Sequence, residues 1–329
     1  MLSIHDHPSG EPLACLLRSS TFETTLEVRG LAAAELRSRL LEQGTRLDWA
    51  SLSNRGPVTV RLQQNQGHYS TDTNSTWETD LADGRVSLRS GGQASITIDP
   101  THADTPALLP ASLYLALAQQ WAQAGLLPVH AAVMDFPDHG GVLAVGQKGA
   151  GKSILAAAAL AAGAKVVSDD WVLIGKRNNQ WQAERIRSFF MLRESWASQE
   201  LLKNAPHLKF DPHTHRPKQL RRLHEYAPET PAACHLKTFW LLERPRTGRH
   251  SHSAVNLATP SRLLASLVEA SMPVLFSQKL PHEHHILTQL AQSFVLTIRG
   301  YILTTGTDLI VYPKQTLEKL NFKSTERRR

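Results

Sequence analysis

Residues Gly146 to Ser153 read Gly-Gln-Lys-Gly-Ala-Gly-Lys-Ser, and the spacing Gly-x-x-x-x-Gly-Lys-Ser suits one kind of chemistry. The glycines let the backbone curl until successive N–H groups point inward at phosphate oxygens. A helix beginning at the last two positions adds its N-terminal amides and their partial positive charge. Lys152 would then reach the terminal phosphates, and the Ser153 hydroxyl would ligate Mg2+. The expected nucleotide contacts are therefore Gly146, Gln147, Lys148, Gly149, Ala150, Gly151, Lys152 and Ser153.

A second group of residues could act on the bound phosphates. Asp169 and Asp170 follow one another at the end of a short apolar run. One carboxylate can hold Mg2+ or its water while the other takes the proton of an attacking hydroxyl. We expect Asp169 as the proton acceptor and Asp170 as the metal partner beside Ser153. His130, upstream of the loop, could hydrogen-bond a phosphate or tune a carboxylate. Arg187 and Arg193 could offset charge on a transferring phosphoryl group, and Lys209 and Lys218 are further candidates for phosphate or substrate contact.

Placing these groups requires a particular set of elements. Val129–Met134 reads as one short strand carrying His130, and Val142–Val145 as a buried strand entering the glycine loop. Lys152–Ala162 is nearly pure Ala, Leu and Ile, a helix of about three turns stopped by Gly163. Lys165–Val167 is the next strand, and the acidic pair closes it. A strand–loop–helix–strand unit favours a parallel crossover, which returns the carboxylates to the loop's edge of the sheet if the two strands are neighbours. Downstream, strands are expected at Phe239–Glu243, Tyr301–Thr305 and Leu309–Tyr312, and helices at Pro260–Ala270, Glu283–Ile298 and Thr316–Leu320. Upstream, residues 1–110 read as strands at Thr21–Arg29, Val58–Gln63, His68–Thr73, Arg85–Arg89 and Ala94–Ile98, with a helix over Leu31–Gly44. Asp83-Gly84 and Gly91-Gly92 are hairpin turn signals. Asp99–Pro110 reads as a linker, followed by a helix from about Ala111 to Ala124. The expected division is thus a β-rich region over 1–110 and a nucleotide-binding domain over 111–329.

His130, the loop Gly146–Ser153 and Val-Val-Ser-Asp-Asp at Val166–Asp170 together resemble the C-terminal catalytic domain of HPr kinase/phosphorylase. Val-His-Ala-Ala-Val-Met at Val129–Met134 and Ser-Asp-Asp-Trp-Val-Leu-Ile at Ser168–Ile174 are similar in particular to the stand-alone HPr-kinase-like proteins of bacteria. The strong resemblance spans about Val129–Ile174, with a looser one to about Leu320. It implies an α/β fold, a P-loop kinase domain of the HPr-kinase/PEP-carboxykinase-like type, here preceded by a smaller β-rich N-terminal region. It also implies an ATP- and Mg2+-dependent phosphotransferase acting on a serine of a protein or peptide. The loop residues would hold ATP and Mg2+, the acidic pair would supply the base, and His130 would belong to the phosphate site. Ala131 stands where the regulatory enzyme has glycine, and Glu184–Arg193 matches its downstream signature only remotely, with Ser188 in place of glycine. Both departures point away from HPr itself as the acceptor.

Composition narrows the remaining classes. With 41% hydrophobic and 20% charged residues, the chain has the profile of a globular protein with a core. It lacks an apolar run long enough to cross a bilayer, and its first residues lack the pattern of a secretion signal. Cys15 and Cys234 are the only cysteines, which reads as free thiols in the cytoplasm. A net charge of +7 favours anionic partners, yet no zinc finger or aromatic-basic signature supports nucleic-acid binding. His213 and His215, and the group His282, His284 and His285, complete no recognised zinc spacing. Two other readings stay open beside the kinase: an ATPase or small-molecule phosphotransferase, and a non-catalytic nucleotide-binding scaffold. A homo-oligomer is compatible with each of them.

Overall fold

A computed structural model describes residues 3–6, 14–18, 23–29, 58–64, 76–81, 84–89, 93–98, 117, 121–122, 124–186, 189–192, 219–222, 231–243, 252–275 and 281–326. The architecture is mixed, with a β-rich N-terminal region and an α/β C-terminal region. The chain divides into two compact units, Met1–Leu126 with Pro273–Leu287, and Leu127–Met272 with Thr288–Arg329.

The first unit holds a seven-stranded sheet of β1 (Ser3–Asp6), β2 (Ala14–Arg18), β3 (Glu23–Arg29), β4 (Val58–Gln64), β5 (Thr76–Leu81), β6 (Gly84–Arg89) and β7 (Gln93–Ile98). Its order is β1-β2-β3-β4-β7-β6-β5, antiparallel throughout. The Asp83-Gly84 signal marks a hairpin, with Leu81 opposite Gly84. Strands β1, β2 and β5 were not anticipated, although Trp77, Thr79 and Leu81 of β5 alternate with charged residues. Leu117, Trp121 and Ala122 are helical and buried. The proposed helix Leu31–Gly44, strand His68–Thr73 and linker Asp99–Pro110 lie outside the described residues.

The second unit is built on a nine-stranded sheet. In chain order it contains β8 (Leu127–His130), β9 (Ala132–Phe136), β10 (Gly140–Val145), helix α1 (Lys152–Ala161), β11 (Lys165–Ser168), β12 (Trp171–Arg177) and β13 (Gln180–Arg185). A separate two-stranded ribbon pairs β14 (Phe189–Leu192) with β15 (Gln219–Arg222). The chain continues through β16 (Ala233–Glu243), β17 (Ala254–Leu257), helices α2 (Pro260–Leu275) and α3 (Pro281–Thr297), and β18 (Arg299–Thr304). Helices α4 (Asp308–Val311) and α5 (Pro313–Glu326) follow. The main path of the sheet runs β11-β9-β10-β16-β13-β12-β8, and β18 joins β16 with β17 beyond it. The long β16 pairs with β13 near its start and with β18 over its second half, while β10 lies parallel to it.

Two expectations are corrected, and the condition set on a third, that the loop strand and the acidic strand are neighbours, is not met. The run Val129–Met134 is two strands, because the ladder partner changes at Ala131: β8 pairs with β12, whereas β9 pairs with β10 and β11. The strand after α1 does not lie beside β10. Strand β9 sits between them, antiparallel to both, so β10 and β11 still run in the same direction. Leu309–Tyr312, read as a strand from its branched residues, is helical over Asp308–Val311. There the Thr307 carbonyl accepts from Ile310 and Val311, and the Asp308 carboxylate accepts from the Ser253 hydroxyl at 2.7 Å. These contacts with another part of the chain outweigh a weak β propensity. The Asn178-Asn179 turn joining β12 to β13 has φ values of 50° and 59°, the left-handed geometry of a tight hairpin that asparagine tolerates.

The core sits on both faces of this sheet. On one face, Leu155 and Ala156–Ala159 of α1 are buried with Ala132, Met134, Val142, Ala144, Val166 and Trp240. Side chains as small as alanine let the helix approach the strands closely. On the other, Trp181 meets Phe294 edge to face, with centroids 5.1 Å apart at 87°, and its indole N–H donates to Thr297 Oγ1 at 2.6 Å. Among the described residues, no helix is long and apolar enough to cross a membrane.

Candidate functional site

The glycine loop leaves β10 and enters α1, the context that its sequence demands. Gly146 has no room for a side chain, since a Cβ there would lie 2.8 Å from the Leu242 carbonyl oxygen and 2.9 Å from the Ala150 Cβ. Gly151 turns the chain into the helix at φ +100°, in the region where residues other than glycine are strained. The turn closes with the Ala150 N–H donating to the Gln147 carbonyl at 3.0 Å, and α1 opens with the Leu155 N–H donating to the Gly151 carbonyl at 2.8 Å. No side chain caps the start of α1 and its first turn holds no carboxylate. A helix N-terminus of this kind receives anions.

Lys152 is buried, and its Nζ donates to the Gly146 carbonyl at 2.6 Å. The amine therefore lies across the base of the loop. Ala150 is buried, Gly146, Gly151 and Ser153 are half-buried, and Gln147, Lys148 and Gly149 are exposed.

Asp169 and Asp170 occupy the corner between β11 and β12, where they are only 3% and 8% exposed. Buried carboxylates are costly unless paired or hydrogen-bonded, and three hydrogen bonds fix the backbone around this pair. The Ser168 hydroxyl donates to the Trp171 carbonyl at 3.3 Å and accepts from the Asp170 N–H at 3.3 Å. The Asp170 carbonyl accepts from the Ala131 N–H at 2.7 Å. This last bond ties the corner to the break between β8 and β9. His130 lies opposite Trp171 in the ladder, so its Nε2 comes to 3.3 Å from Asp170 Oδ1. Its ring also lies 5.6 Å from the Trp171 ring.

The two halves of the site share one edge of the sheet. Strands β10 and β11 end there with β9 between them, two strand spacings or roughly 10 Å apart. Mg2+ keeps several waters and takes few protein ligands, so it needs no dedicated protein cage. Among the described residues, no group of three or more His, Cys, Asp or Glu forms such a cage. Arg187, Ser188, Arg193, Lys209, Lys218, His213 and His215 lie outside the described residues. His284 and His285 are exposed on α3.

Two participants were missed from sequence. Ser168 clamps the acidic corner, and Trp171 flanks His130. The signal was present in Ser-Asp-Asp-Trp, since a serine before an acidic corner can bridge it through its hydroxyl. A buried arginine, Arg185, opposes Val172 at the start of β12, and burial lowers its pKa. Strand β13 thus carries a cation to the end of the sheet where the acidic corner lies.

No family model matches the chain, and neither does any curated protein. Among solved structures there is a weak similarity to the HPr(Ser) kinase/phosphatase from Coxiella burnetii, with 12% identity and a TM-score of 0.35, covering 60% of this chain and 97% of that one. A likeness this slight carries no argument about activity, which has to come from the site itself.

Proposed function

We propose that the protein is an ATP- and Mg2+-dependent kinase that transfers the γ-phosphoryl group to a hydroxyl, a serine of a protein or peptide. The observation that carries this reading is the His130–Asp170 contact of 3.3 Å at a buried acidic corner on the loop's edge of the sheet. A carboxylate pair at that edge offers a base beside a metal ligand, which transfer uses and nucleotide binding alone does not.

In this reading the loop amides and Lys152 hold the phosphates, and Ser153 and Asp170 hold Mg2+. His130 fixes the Asp170 carboxylate, as hydrogen-bonded partners commonly orient metal ligands. Bound Mg2+ would offset charge on the phosphate oxygens. Asp169 takes the proton as the acceptor oxygen bonds to the γ-phosphorus and the bridging P–O bond breaks, releasing ADP. Positioning and electrostatics supply most of the rate. Arg187 and Arg193 are proposed to stabilise the transferring group. The domain limits 1–110 and 111–329, a cytoplasmic location and an unidentified protein acceptor belong to the same proposal.

The test incubates purified protein with labelled ATP, Mg2+ and host extract, and locates label by mass spectrometry. Label on a serine is expected, and Asp169→Asn should abolish it while ATP still binds. Asp170→Asn should raise the Mg2+ requirement instead. Equal behaviour of the two variants would reject the assigned roles, and release of inorganic phosphate alone would favour an ATPase.

A further inference from the structure

The reading above places the phosphates but leaves the other end of the nucleotide without a site. The γ-phosphoryl group must face Asp169 and Asp170, on the β11 side of the loop. The nucleoside end must then extend the opposite way, across the C-terminal ends of β16 and β18. Ligands of open α/β sheets gather at those strand ends.

Among the described residues, Glu243 stands there beside the loop, while Asp308 past β18 is taken up by Ser253. Glu243 is the last residue of β16, and Leu241 pairs with Val145, the residue before the loop. Glu243 is therefore level with the loop entrance and one strand spacing, roughly 5 Å, to its side. Its packing against the loop is tight, because the Leu242 carbonyl is the atom that Gly146 leaves room for. The Glu243 side chain is 32% exposed and is held by Arg262 of α2 through its Oε1. Two turns further along α2, Glu269 accepts from the Gln147 side chain at 3.3 Å. Helix α2 thus lies along the loop entrance, and its contacts fix both the loop and the Glu243 carboxylate. A carboxylate with one oxygen held by a cation keeps acceptor capacity on the other.

We propose that Glu243 is the ribose-binding residue of the site, accepting hydrogen bonds from the 2′- and 3′-hydroxyls of the nucleotide, with Arg262 as its positioning residue. The proposal rests on the nucleotide reading and adds a subsite to it. It assigns the β16 side of the loop to the nucleoside and the β11 side to the acceptor.

The test compares ATP with 2′,3′-dideoxy-ATP by titration calorimetry. Loss of hydrogen bonds to a charged acceptor corresponds to about 10-fold or more in affinity, so the intact chain should prefer ATP by that factor. Glu243→Ala should weaken ATP while leaving dideoxy-ATP unchanged, bringing the ratio to about one. Glu243→Gln, which keeps size and one acceptor, should give an intermediate ratio if the alanine variant fails to fold. Arg262→Ala should lower the same ratio by a few-fold, which a merely structural contact would not do. Equal binding of ATP and dideoxy-ATP by the intact chain overturns the ribose assignment, as does equal weakening of both by Glu243→Ala. A chain that binds no ATP at all overturns the nucleotide reading itself.

Discussion

Lys152 is buried with its Nζ on the Gly146 carbonyl, and the same glycine is the position where a Cβ cannot fit. Charge and shape at the loop are therefore coupled through one residue. Lys152→Ala should weaken ATP binding by about 10–100-fold through loss of a charged hydrogen-bond donor, read by calorimetry. Gly146→Ala should weaken it as well and also lower stability, by about 1–3 kcal/mol as for other overpacked sites, read by thermal melting. His130 makes a different kind of contribution. Its contact with Asp170 predicts that His130→Ala lowers phosphate transfer by about 10–100-fold with ATP affinity nearly unchanged. A parallel loss of affinity would place His130 against the nucleotide rather than the carboxylate.

Helix α1 and strand β9 bring the halves of the site together. The helix is held by Leu155, fully buried among Ala156–Ala159 and the sheet. Leu155→Ala should cost about 2–5 kcal/mol in a denaturant melt, without touching any proposed ligand. Strand β9 separates the loop strand from the acidic strand, and it carries Asp135 opposite Lys165 and Gly141. Burial raises the Asp135 carboxyl above its ordinary range, against the partial pull of Lys165 and His235. A raised folded-state value means that the fold binds this proton more tightly than the unfolded chain does. The group's favourable contribution is present at acid pH and lost as pH climbs from the unfolded value through the folded one. Asp135→Asn should therefore gain stability at pH 7 relative to the parent, and the gain should vanish near pH 3. A variant less stable at pH 7 would show that the Lys165 attraction dominates. Burial beside the same Asp135 also raises the Cys234 thiol, which makes it a poor nucleophile.

At the scale of the whole molecule, a chain that binds nucleotide only when folded is stabilised by it. ATP at a hundred times its Kd, with Mg2+, should stabilise the unit carrying the loop by about 2.7 kcal/mol. Calorimetry should show that shift in the parent and not in the Lys152→Ala variant. The glycine loop, its helix, the acidic pair and strands β10, β11, β16 and β18 could be read from local pattern, because loop geometry and helix entry depend on neighbours in sequence, whereas β12, β13, β14, β15 and β17 were not read. The helix at Asp308–Val311 could not, since its start rests on Ser253 and Asp308, far apart along the chain. Nor could the break at Ala131, where an unbroken apolar run changes its ladder partner. Residue types and spacing alone determined that this chain carries a glycine-rich loop entering a helix and an acidic pair at a strand end. Only the tertiary structure decided that β9 separates their strands, that His130 meets Asp170, and that Glu243 stands beside the loop. Those facts follow from which strands pair, and pairing joins residues whose separation along the chain leaves no local mark.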